Sequence, residues 1–112
     1  MHADDRIRLL HMAEAAEAVL LFIENRRRQD LETDQMLLFA IIRAIEVLGE
    51  ASSRISDDTR SAFPNIPWSS ITDMRNRLIH GYFDIDGDIV WNTASYEIPV
   101  LLADLRRILD AG

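Results

Sequence analysis

The chain contains no cysteine and no lysine, and only four glycines and three prolines in 112 residues. Its longest apolar run is Met36–Ile42. Without cysteine there is no disulfide framework, no thiol nucleophile and no cysteine-based zinc site. The apolar run is far short of the ~20 residues a membrane-spanning helix needs, so no membrane association is expected. The opening residues Met1-His2-Ala3-Asp4-Asp5 are acidic. They lack the basic start and apolar stretch of a secretory signal, which makes the expected location cytoplasmic. What is present is ordinary for a globular protein: 48% hydrophobic residues, too many for a disordered chain. The length predicts one domain over residues 1–112. Nineteen acidic side chains against 12 basic ones give a net charge of −7. Generic nucleic-acid binders are basic, so any such site must be local. All 12 cations are arginines, planar donors suited to phosphate.

No repeat or low-complexity linker interrupts the chain, and the apolar spacing is helical throughout. A first helix is predicted over about Asp4–Arg27, with Leu9, Met12, Ala16, Val19 and Ile23 as its apolar seam. Arg26-Arg27-Arg28 follows near its end, where cations suit the helix dipole. A second helix begins at Thr33 or Asp34, either of which can cap it. It carries two seams, one through Leu37, Ile41, Ala44, Leu48, Ala51 and Ile55, the other through Leu38, Ile42, Ile45 and Gly49. A helix apolar on two faces needs cover on both. Either it is the centre of a bundle, or one face meets a partner subunit. A short helix is predicted over Asp57–Phe63, and a third main helix over Trp68–His80 with Pro67 in its first turn and Gly81 as its stop. Asp84–Asp88 reads as a polar turn. The last helical stretch covers Asp88–Leu109, broken or kinked at Pro99, with Leu102, Leu105 and Leu109 packing. The fold expected is an all-α bundle of four main helices and one short one.

The chemistry concentrates in Met74-Arg75-Asn76-Arg77-Leu78-Ile79-His80-Gly81-Tyr82. On a continuous helix, at ~100° per residue, Ile71, Ile79 and Tyr82 flank Arg75, which puts the arginine within an apolar stripe. Asn76 and His80, at i and i+4, are neighbours on one flank, and Arg77 points to solvent. An arginine on an apolar face needs an anion or a carboxylate. One account is an internal salt bridge to Glu46 or Glu50, or a head group that snorkels to water. The other is a site in which Arg, Asn and His act together, with a tyrosine two residues on.

That constellation resembles the HEPN superfamily, and within it the HepT-like ribonucleases. These carry an arginine, a polar neighbour (often asparagine) and a histidine a few residues later, extended by a residue and a tyrosine. Here the motif reads Arg75-Asn76-Arg77-Leu78-Ile79-His80-Gly81-Tyr82. Gly49-Glu50-Ala51, Pro67-Trp68, Asp88-Ile89-Val90-Trp91 and Pro99 also look like this family, so the resemblance covers nearly the whole chain. It implies a metal-independent RNA endonuclease toxin, a homodimer whose motif helices face each other across a cleft, and Arg75, Asn76 and His80 as its catalytic residues. It also implies a nucleotidyltransferase antitoxin of the MntA kind that attaches AMP to Tyr82. No cofactor or metal is called for. The chemistry is compatible: histidine titrates near neutrality and serves as acid or base, and arginine can hold two phosphate oxygens as charge develops. One His80 from each subunit would supply both acid and base.

Two other accounts stay open. In one, the chain is a non-catalytic nucleotide- or substrate-binding partner of a small nucleotidyltransferase, with Arg75 and Arg77 on a phosphate. In the other, it is a structural helical dimer with Arg75 in a buried ion pair. Tyr82 can equally be an aromatic anchor on the core face. A carboxylate-bridged metal bundle would want Glu-x-x-His on two helices. His11-Met12-Ala13-Glu14 has the reverse order and occurs once, so His11 and His2 are read as surface residues. Asp84, Asp86 and Asp88 alternate like part of a calcium loop but lack its closing glutamate. Arg26–Arg28 is read as a solvated patch or an outer RNA contact.

Overall fold

The computed structural model describes residues 1–79 and 84–111. Helix α1 (Ala3–Ile23) is followed by a single turn, α2 (Asp30–Thr33), and by α3 (Gln35–Ser53). Short helices α4 (Asp57–Ala62), α5 (Trp68–Thr72) and α6 (Met74–Leu78) come next. Then α7 (Gly87–Asn92) runs through a π-helical turn (Thr93–Glu97) into α8 (Ile98–Ala111). The expected all-α bundle is what forms. No helix among the described residues is long and apolar enough to cross a membrane.

Helix α1 ends at Ile23, four residues before the expected boundary. Asn25 takes a positive φ of 60°, a backbone setting that asparagine tolerates better than most residues. The arginine run therefore belongs to the turn and not to the helix. Arg26 donates to Asp30 at 3.3 Å and to Asp34 at 2.8 Å. Arg28 donates to Asp88 at 2.7 Å, which ties this turn to the start of α7. Two of the three arginines are thus engaged inside the fold, so the run is not a solvated patch; Arg27 is exposed. Asp34 caps α3 as predicted, its carboxylate accepting from the Leu37 amide at 3.1 Å. The Arg26 guanidinium holds that carboxyl below the usual aspartate range, with help from the same amide.

Of the α1 seam, Leu9, Met12, Ala16 and Val19 are fully buried, and Ile23 is half-buried at its end. Ala13 and Ala15 widen the seam, so that α1 packs on α3 and on α8. Both seams of α3 are covered within the chain. Ile41, Ile45 and Leu48 are fully buried and Ile42 nearly so, beneath α1 on one side and α2, α5 and α6 on the other. The second seam is thus largely buried within the chain, with Leu38 half-buried at its start. At Gly49 the α5 backbone approaches so closely that a Cβ would lie 3.3 Å from the Ile71 carbonyl oxygen. The Ser52 and Thr72 hydroxyls meet beside it at 3.4 Å.

Of the break or kink expected at Pro99, no break forms; the stretch instead passes through a π-helical turn just before the proline. The proline is the second residue of α8, directly after the π-turn. Proline removes one amide donor and its ring crowds the preceding turn. The wider π-turn takes up that misfit. Ile98, Leu101, Leu102 and Leu105 are buried, and Leu109 is half-buried. Two side chains tie α8 back along α1: Arg106 to Glu17 at 3.3 Å, and Arg6 to the Leu109 carbonyl at 3.2 Å.

Helices α1 and α3 run antiparallel, so the start of α1 lies against the end of α3. There Asp5 is buried and accepts from the Ser56 amide at 3.1 Å, the Ser56 hydroxyl at 2.5 Å and the Thr59 hydroxyl at 2.6 Å. Burial pushes this carboxyl up, but the three hydrogen bonds together outweigh it and hold the pKa at about 2, against an ordinary 3.8. A depressed pKa in the folded state stabilises the fold fully above the unfolded value, and that contribution disappears as pH falls through the folded one. Urea unfolding is expected to show Asp5→Asn about 2 kcal/mol less stable than wild type at pH 7. The gap should close as the pH falls from 4 to 2. A gap that persists at pH 2 would show that charge is not its cause.

Candidate active site at the Arg75 segment

The segment that carries Arg75 is positioned from both ends. At its start, Arg60 of α4 caps the end of α3, donating to the Ser52 carbonyl at 2.9 Å and the Ile55 carbonyl at 3.1 Å. The Trp68 indole N–H then donates to the Arg60 and Phe63 carbonyls, at 3.2 and 3.1 Å. This fixes where α5 begins, and Gly49 sets how near α5 lies to α3. At the other end, Leu78 is fully buried. The Asp86 amide donates to the Leu78 carbonyl at 2.9 Å, and Ile79 pairs antiparallel with Ile85.

The continuous helix expected over Trp68–His80 is absent. It breaks at Asp73, where the Asn76 amide closes a tight i→i+3 turn on the Asp73 carbonyl at 3.0 Å. It ends at Leu78, because Ile79 is extended, with φ −124° and ψ 120°. A β-branched residue suits that extended bridge. The expected i, i+4 pairing of Asn76 with His80 falls on a residue outside the described ones. His80, Gly81 and Tyr82 lie outside the described residues, and so does the expected stop at Gly81.

The break also rotates Arg75 away from the core. Ile71, Met74 and Leu78 are buried, while the Arg75 side chain is 49% exposed. It is not the buried cation the helical wheel implied. Its Nε donates to Glu46 on α3 at 3.2 Å, the carboxylate foreseen as a partner. Its two Nη atoms make no hydrogen bond among the described residues, so two parallel donors face outward. Asn76 is exposed, and its side-chain amide donates to the Asp73 carboxylate at 2.7 Å. Its carbonyl oxygen accepts no hydrogen bond among the described residues.

Arg77 is not solvated as expected. It is half-buried and donates to Glu97 of the π-turn at 3.3 Å and to the Ser70 carbonyl at 3.5 Å. This pair holds α6 against the turn that leads into α8. The Asp84–Asp88 turn is likewise structural. Asp86 caps α7 by accepting from the Asp88 and Ile89 amides, and Asp88 takes the ion pair with Arg28.

Arg75 opens onto a groove of about 730 Å³ between α1 and α3. Arg8 and His11 of α1, Arg43 of α3 and Arg54 just past the end of α3 line the same groove. His11 is on the surface, as expected, yet it shares a concavity with Arg75. Sequence reasoning passed over all four. The signal available was the spacing Arg43-Val47-Glu50-Arg54, which places one face of α3 in the groove.

A family model described as "Ribonuclease HepT-like" matches residues 12–108. A protein of Thermococcus cleftensis named "Probable ribonuclease HepT" is 37% identical over 101 residues, covering 88% of this chain and 92% of that one. Two Methanocaldococcus jannaschii proteins named as candidate RNases are also similar. One is 36% identical over 100 residues, covering 89% of this chain and 92% of its own length. The other is 34% identical over 101 residues, covering 90% and 84%. No solved structure matches the chain.

Because the Arg75–Glu46 pair is exposed, it contributes about 0–1 kcal/mol, not the several that a buried pair would lose on truncation. Arg75→Ala is therefore expected to shift the unfolding free energy by less than about 1 kcal/mol. A larger loss in chemical denaturation would return Arg75 to a structural role.

Proposed function

The chain belongs to the ribonuclease HepT-like family, and on that footing we propose that it is a metal-independent RNA endonuclease, the toxin of a toxin–antitoxin pair, acting as a homodimer in the cytosol. The observation that carries the reading is the exposure of Arg75, which lines the groove and whose two Nη donors make no hydrogen bond among the described residues. A guanidinium held through Nε by a carboxylate is oriented without being used up. It can hold two oxygens of a scissile phosphate as negative charge builds there.

In the reaction proposed, an RNA 2′-hydroxyl attacks the adjacent phosphorus. Its proton passes to an imidazole, the bond from phosphorus to the 5′-oxygen breaks, and that oxygen takes a proton from a second imidazole. His80 is the acid/base residue, and a homodimer supplies two copies of it. Asn76 orients the imidazole, its carbonyl oxygen accepting a ring N–H while Asp73 holds its amide. The products are a 2′,3′-cyclic phosphate and a 5′-hydroxyl, and DNA is not cut because it lacks the nucleophile.

Tyr82 is the proposed control point. A nucleotidyltransferase antitoxin would join the tyrosyl oxygen to the α-phosphorus of ATP and release pyrophosphate. The added phosphate charge and bulk would keep RNA out.

Two measurements test this. In excess EDTA, wild type is expected to cleave RNA to cyclic-phosphate ends, and His80→Ala to be slower by on the order of 10²–10⁴. Fragments ending in a free 3′-hydroxyl would rule out the 2′-hydroxyl mechanism. No cleavage by folded, unmodified protein would favour the non-catalytic nucleotidyltransferase partner. On co-expression with a genomically neighbouring nucleotidyltransferase, intact mass should rise by AMP in wild type and not in Tyr82→Phe. Modification that survives Tyr82→Phe would put the acceptor elsewhere.

A further inference from the structure

The molecule is acidic overall, yet the groove beside Arg75 has the opposite balance. It holds four of the 12 arginines, Arg8, Arg43, Arg54 and Arg75, against three of the 19 carboxylates, Asp4, Glu46 and Glu50. Arg43 is exposed on the groove floor and makes no ion pair or hydrogen bond among the described residues. Among the described residues Arg54 is paired only with Glu50, at 2.9 Å, and both side chains are more than 60% exposed. Such a pair is worth little in water, so a phosphate can share or displace its carboxylate. Arg8 reaches the Arg54 carbonyl with Nη1 at 3.0 Å, which leaves the rest of its fork outward and steadies the far end of the groove.

We propose that the α1/α3 groove is the track for the RNA backbone as it passes Arg75, with Arg43 and Arg54 binding phosphates beside the scissile one and Arg8 closing the track. The proposal rests on the ribonuclease reading for its ligand. A strand held at Arg75 carries further phosphates on either side, and the groove is where further cations share a concavity with Arg75. Planar guanidinium forks suit those phosphates. A local positive potential on an acidic protein steers a polyanion to this groove and away from the rest of the surface. The carboxylates between the arginines keep the affinity modest, as a cleaving site needs for release of its products.

The experiment separates the track from the chemistry. Binding of a single-stranded 2′-O-methyl RNA, which lacks the nucleophile, is followed by fluorescence anisotropy across a salt series, with circular dichroism to confirm folding. Each phosphate contact contributes about 0.7 to the slope of log affinity against log salt for a single strand. Arg43→Gln and Arg54→Gln are each expected to flatten the slope by about that amount. Arg107→Gln, on the exposed face of α8, is expected to leave it unchanged. Slopes equal to wild type in both groove variants would overturn the track, and cleavage of unmodified RNA by wild type would show that the ribonuclease reading survives it. Flattened slopes without cleavage would support the track and remove the chemistry. If Arg43→Glu instead abolished capture of a co-expressed nucleotidyltransferase while the RNA slope stayed the same, the groove would belong to a protein partner and the proposal would be wrong.

Discussion

Helix α3 is apolar on two faces, and the cost of leaving either in water governs where the other elements lie. Each fully buried leucine or isoleucine along it stabilises the fold by about 1.5–3 kcal/mol relative to exposure. One face draws α1 down its length. The other draws α2, α5 and α6. Gly49 is where this second contact is tightest, with the α5 carbonyls against its Cα. The Arg75 segment is therefore part of the cover of α3. Its buried residues Ile71, Met74 and Leu78 face inward, and Arg75 is left at the edge where the cover meets solvent.

Charge is distributed with a similar division of labour. Six of the 12 arginines act within the fold. Arg26 and Arg28 close the α1–α3 turn, Arg60 caps α3, Arg77 clamps the π-turn, and Arg6 and Arg106 bind α8 to α1. Asp5 does the same from the acidic side, exchanging hydration for three hydrogen bonds at the start of α4. The arginines of the groove are different, since they are exposed or only loosely paired. A net charge of −7 says little about such a site, because it averages over charges that are unevenly distributed on the fold.

The bundle was legible in the sequence wherever the relevant signal was local. The α1 seam, the Asp34 cap, the two faces of α3 and the start at Pro67-Trp68 all follow from side-chain periodicity and capping chemistry, which act over a few residues. The failures came where a distant partner overrode a local preference. Residues 68–80 have a continuous helical pattern, but Asp73 tightens one turn and the Ile79–Ile85 bridge pulls the chain out of the helix. A wheel drawn on an unbroken helix therefore placed Arg75 wrongly. Arg77 looked solvated because Glu97 is remote in sequence. Pro99 looked like a break because a π-turn is not visible in a residue pattern.

The sequence by itself determined that this is an all-helical chain without thiol chemistry, and its motif led to the ribonuclease family, because composition, periodicity and residue type are properties of the chain alone. Only the tertiary structure decided that Arg75 is half exposed, with two donors unpaired among the described residues. It also decided that the second seam of α3 is covered from within, and that Arg8, Arg43 and Arg54 join Arg75 in one groove. Those facts depend on which surfaces meet once both faces of α3 have been buried, and that is a property of packing between segments far apart in the chain.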